Sequence, residues 1–181
     1  MIPIRVVPLI PVGCLLLALT CRAEWIDVPF VAQHQNGSEA AATAMVMQYW
    51  GAKGLGAAGK ASDAATIYNS IYSDQTNGIA GSRIGEYFRR QRFDAYVFAG
   101  GWEDLAWHVA RGRPLIVCVR NGGSQAPLRY VVVAGLDEKQ GVVFVNDAAR
   151  RKLDRIDRRS FESDWKAGGN WTLLALPQRP R

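Results

Sequence analysis

The sequence has few of the residues that staple, ligate or titrate. Its 181 residues include three cysteines and two histidines. Cys14 and Cys21 fall within the first 23 residues, so a chain starting near Glu24 keeps Cys118 alone and has no intramolecular disulfide. His34 and His108 are widely separated and lack neighbours at ligand spacing, so no metal motif is present. The longest apolar run, Val6–Leu19, covers about 14 residues and is broken by Pro8 and Pro11, whereas a membrane span needs about 20. There is no internal repeat, and no linker divides the chain.

What is present describes one globular domain. The chain is 49% hydrophobic and 21% charged, which excludes a disordered tail, a collagen-like repeat and a disulfide-bonded miniprotein. Residues 1–23 read as a secretory signal. Arg5 supplies the positive start and Val6–Leu19 the apolar stretch, while Cys21 and Ala23 are small residues at the cleavage positions. Acylation of Cys21 is the weaker alternative, because Ala18 and Thr20 fit the preceding positions poorly. Removing the segment takes away Arg5 and Arg22 from 22 basic groups and none of the 16 acidic ones, leaving 158 residues with a net charge of +4. The expectation is an exported protein, periplasmic or extracellular, that does not span the membrane and has a core of ordinary size.

Periodicity then lays out the elements. Asp27–Val31 reads as an entry strand that Pro29 confines to an edge. Residues 39–50 have helical spacing, with Ser38 at the N-cap position and Glu39 in the first turn. Ser62 is expected to cap a second helix, and Ser82–Gln91 and Trp102–Ala110 read as two more. Phe93–Phe98, Leu115–Arg120, Tyr130–Gly135, Val142–Asn146 and Trp171–Leu176 read as strands. Turn signals stand at Asn36-Gly37, Asn77-Gly78, Asn121–Ser124 and Asp137–Gly141. The basic segment Arg150–Arg159 reads as a solvated edge before a short helix carrying Phe161 and Trp165. It lacks the aromatic interleaving of a nucleic-acid surface, so no nucleic-acid partner is expected. Helices first and strands after imply an α+β fold, with a helical half packed on an antiparallel sheet.

One pattern is more specific. Val28-Pro29-Phe30-Val31-Ala32-Gln33, then Ser38, then Ala41-Ala42-Thr43-Ala44-Met45-Val46-Met47-Gln48-Tyr49-Trp50-Gly51, resembles the opening of cysteine peptidase family 39. These are the bacteriocin-processing peptidases and their exported relatives, with a papain-like fold. Gly112–Val117, Tyr130–Gly135, Val145-Asn146-Asp147 and Asn170–Leu174 are similar to that family in order. The resemblance implies a domain over 24–181, a peptide or protein ligand and no cofactor. It also implies Gln33 as oxyanion donor and Asp147 as orienting carboxylate.

The two reactive positions depart from the pattern. Ser38 stands where the family has Cys, and Arg129 where it has His. A guanidinium keeps its proton at neutral pH and offers no lone pair, so it is no general base. A serine hydroxyl without a base is a poor nucleophile. Glu39 replaces the family's usual Gly and sets a negative charge beside the oxyanion position. An ion pair between Arg129 and Asp147 is expected in place of the His–Asp hydrogen bond. Three readings follow: a non-catalytic domain binding peptide or protein in the inherited cleft, a divergent peptidase or acyl-transfer hydrolase using Ser38, and a structural module of the cell envelope. Cys118 is expected as a buried strand residue.

Overall fold

The computed structural model describes residues 24–34, 37–56, 59–73, 80–120, 122 and 125–178. The expected signal, 1–23, lies outside the described residues, as do all or part of the turn signals at Asn36, Asn77-Gly78 and Asn121–Ser124. The elements in order are β1 (Glu24–Trp25), α1 (Ser38–Ala52), α2 (Ala64–Ile71), α3 (Gly81–Arg90), β2 (Phe93–Ala99), α4 (Trp102–Val109), β3 (Leu115–Val119), β4 (Arg129–Asp137), β5 (Val142–Asp147), β6 (Arg151–Asp157), α5 (Arg158–Ala167) and β7 (Trp171–Pro177).

α1 is the centre of the molecule. Eleven of its 15 residues are buried, so it has no solvent face to speak of. It packs against β3, β4 and β5 on one side and against α2 and α3 on the other. Ala40, Ala41, Ala42 and Ala44 let these neighbours approach closely, while Met45, Val46 and Met47 fill the space further along. At its far end the aromatic polar atoms are used as ties: Trp50 Nε1 donates to Ala175 O at 3.1 Å and Tyr49 Oη to Gly112 O at 2.7 Å.

The sheet is antiparallel throughout, in the order β2-β7-β3-β4-β5-β6. β3 is buried at every residue and β4 at all but its ends, as expected of strands covered on both faces. α1 covers one face. α5 covers the other, with Trp165 set against Gly100 and Thr172. β1 pairs with β4 beyond the end of β3, on the same edge, so Trp25 opposite Gly135 continues the line of Leu115 opposite Val133.

Several local expectations are corrected. The ladder at the entry is Glu24–Trp25, whereas 27–31 runs extended without one and is held by Asn146 Nδ2 donating to Val28 O at 3.1 Å. α2 is capped by Asp63, which accepts from Thr66 N at 2.9 Å, because Ser62 is taken into the 3-10 turn Gly59–Ser62. The basic segment is mostly a strand, β6, added to the sheet edge. It escapes a period-two reading because Leu153 sits at φ 53 beside a register shift between Val145 and Asp147. The buried carboxamide of Asn146 closes that irregularity, accepting from Leu153 N at 2.9 Å.

Candidate active site

Ser38 is the first residue of α1, and Gly37 occupies the N-cap position with no side-chain cap. The expectation of a capping Ser38 is therefore corrected. Its hydroxyl is turned sideways, accepting from the backbone N–H of Tyr130 at 3.2 Å and donating to Glu39 Oε2 at 3.3 Å. The first of these bonds ties the start of α1 to the start of β4 across 92 residues of sequence. Ser38 is buried, at 5% exposure, so the bond from Tyr130 is shielded from water, while the one to half-buried Glu39 is partly so.

Arg129 precedes Tyr130, and side chains alternate along a strand. Tyr130 meets Trp171 edge-on and Gly81 of α3 on the α1 side of the sheet. Arg129 turns toward β5 and α5. Its Nη2 lies 3.2 Å from Asp147 Oδ2, and its charge acts on Asp164 of α5. Burial raises the pKa of Asp164, while Arg129 and Arg150 pull it back down. Asp147 is buried at the end of β5, where Oδ1 accepts from Ala149 N at 3.0 Å and Arg150 stands 3.8 Å from Oδ2. The ion pair drawn from the sequence is present, within a wider network that continues from Arg150 to Asp154 at 3.6 Å and from Arg151 to Asp154 at 2.7 Å.

Gln33 is placed by its backbone. Its N–H donates to Ala148 O at 3.0 Å, against the turn that follows β5, and Gly37 N donates to His34 O at 3.0 Å to close the approach to α1. The fold thus gathers Ser38, Arg129 and Asp147 through consecutive contacts and brings Gln33 to the same region along the chain. His34 lines a cavity of about 240 Å³ beside it, with Gly37 and Ala40 of the α1 start and Ala64, Tyr68 and Asn69 of α2.

Behind Ser38 lies a second cluster. Burial pushes the Glu39 carboxyl up from its ordinary pKa, more than the bonds from its own backbone and Ser38 pull it down. Cys118 of β3 faces Tyr130 across the ladder and bonds to it. Burial pushes its thiol to about 11, a hydrogen bond from Tyr130 lowers it, and the Glu39 charge raises it further. Tyr130 is shifted upward by burial too. Cys118 and Tyr130 are therefore kept protonated at neutral pH. Among the described residues no group of His, Cys, Asp and Glu is arranged to hold a metal ion.

Sequence reading missed the Tyr130 N–H as the partner of Ser38, because backbone donors leave no composition signal. It also missed Arg150 as the second cation on Asp147. That pair is i,i+3 across a tight turn, with Arg150 N donating to Asp147 O at 2.9 Å, and recognising β6 would have revealed it.

The comparisons agree with this architecture. A C39-like peptidase from Bacillus anthracis superposes with a TM-score of 0.69 at 17% identity, over 88% of this chain and all of that one. The peptidase domain of Streptococcus ComA, a bifunctional ABC transporter of a quorum-sensing pathway, gives 0.63 at 20% identity, over 82% of this chain and 97% of that one. A double glycine motif protease from an AMS/PCAT transporter, in complex with the leader peptide, gives 0.63 at 17% identity, over 86% and 95%. No match was found among curated proteins. The sequence model of the Peptidase_C39 like family matches residues 25–172, and the chain belongs to that family.

Proposed function

We propose that the protein is an exported, catalytically silent C39-like domain that binds a peptide in the cleft at the start of α1. The observation that carries the reading is the Arg129–Asp147 ion pair at 3.2 Å: the residue at the position where the family has its base is a guanidinium held on the α5 side of the sheet, with no lone pair to take the proton of Ser38. Gln33 and the α1 N-terminus remain to receive a peptide carbonyl, and the cavity beside His34 takes a neighbouring side chain. Leader peptides carrying a double-glycine motif are the first candidates, since one structural relative is a double glycine motif protease in complex with the leader peptide. Titration calorimetry with a leader peptide of this kind tests the reading. Binding is expected with the unmodified protein and is expected to weaken at least tenfold on Ala64→Phe, which fills the cavity. Equal affinity in both proteins, or no binding, would count against it.

A second reading has one observation in its favour. Ser38 Oγ donates to Glu39 Oε2 at 3.3 Å, and burial makes that carboxylate more basic than usual. In this reading Glu39 is the base of a serine hydrolase. The same contact places a carboxylate where the oxyanion would develop, which opposes the transition state. Covalent labelling of Ser38 separates the two.

A further inference from the structure

The end of the molecule opposite Ser38 carries an amphiphilic surface that the cleft does not use. Trp107 on α4 is 49% exposed, and the guanidinium carbons of Arg111 and Arg113 lie 3.9 and 5.4 Å from its ring centroid. Tyr49 joins this cluster to the end of α1, its hydroxyl on Gly112 O and Lys53 Nζ 5.0 Å from its ring. Lys53 and Arg111 are exposed, and none of the three cations forms a salt bridge among the described residues. Two large apolar side chains stand at the same end: Trp25, 63% exposed, continues the line of β3 beyond Leu115, and Leu55, 41% exposed, follows α1. Acidic groups at this end include Glu24 on β1, Asp94 near the start of β2, and Asp137 and Glu138 in the turn after β4, next to Lys139, while Asp104 acts on His108 at α4.

We propose that this end docks on an anionic lipid bilayer, with Lys53, Arg111 and Arg113 on phosphate-bearing headgroups and Trp107 and Trp25 in the interfacial layer. Cations alone would suit any polyanion. Exposed indoles among them suit a surface that is charged outside and apolar a few ångströms below. A bilayer there leaves Ser38 and the cleft directed away from the membrane.

Sedimentation of the full chain with vesicles tests this, using phosphatidylcholine with about a third phosphatidylglycerol against phosphatidylcholine alone. Residues 6–19 are common to every variant, so differences report on the docking end. The triple change Lys53→Gln, Arg111→Gln, Arg113→Gln is expected to lower partitioning onto anionic vesicles about a hundredfold, roughly fivefold per cation. Brominated lipid is expected to quench the tryptophan emission, and the quenching to disappear in Trp25→Phe with Trp107→Phe. Of the six tryptophans, Trp50, Trp102 and Trp165 are buried in the core. Unchanged partitioning of the triple variant, quenching that survives the double variant, or equally tight binding to duplex DNA would each overturn the proposal.

Discussion

Cys118 and Glu39 are the residues at which the chemistry of the site is most exposed to test. Burial raises the Cys118 thiol to about 11 against the opposing effect of its Tyr130 hydrogen bond, which leaves almost no thiolate at pH 8. In the chain starting at Glu24, where Cys118 is the one thiol, iodoacetamide is expected to leave native protein unmodified and to alkylate Cys118 fully once the chain is unfolded in urea, as read by intact mass. Glu39 gives a pH signature. Its folded pKa is raised, so its contribution to stability is complete below the unfolded carboxylate range and is lost as pH rises through the folded value. Glu39→Gln should therefore gain on the unmodified protein steadily as pH rises from 4 to 7. Melting curves that stay parallel across that range would contradict the buried carboxylate.

At the scale of elements, close contacts hold α5 and β6 in place. A Cβ on Gly168, just past α5, would overlap the carbonyl of Cys118 in β3, and Gly168 has an ordinary φ of −89, so the need for glycine is steric. Gly168→Ala should cost about 1–3 kcal/mol by pushing α5 off the sheet. Asn146 serves two backbone groups on different segments, Val28 O and Leu153 N. Asn146→Ala leaves both without this partner in a buried setting and should cost about 2–3 kcal/mol in urea unfolding. The helices and central strands were legible in the sequence because β3 and β4 are apolar runs and α1 is alanine-rich. β6 was not, since an edge strand exposes Arg151, Lys152 and Arg155 and its bulge breaks the alternation. The cap of α2 was misplaced by one residue because Ser62 and Asp63 are both good caps, and the 3-10 turn decided between them.

Over the whole molecule, the scaffold follows the family while the proposed chemistry departs from it. The order of Gln33, Ser38, Arg129 and Asp147 along the chain followed from the resemblance to the family pattern. The pairing of Arg129 with Asp147 was legible too, whereas Arg150 as the second cation on Asp147 and Asp164 across on α5 were not, since both depend on how β6 and α5 are placed. Restoring both reactive groups, Ser38→Cys with Arg129→His, should return peptide cleavage, with Glu39→Gly added to remove the opposing charge; Ser38→Cys alone should stay inactive. Intact-mass measurement after incubating the unmodified protein with a fluorophosphonate tests the central claim without presuming a substrate. The account predicts an unchanged mass. A single adduct mapping to Ser38, absent from Ser38→Ala, would contradict it and establish the serine-enzyme reading instead.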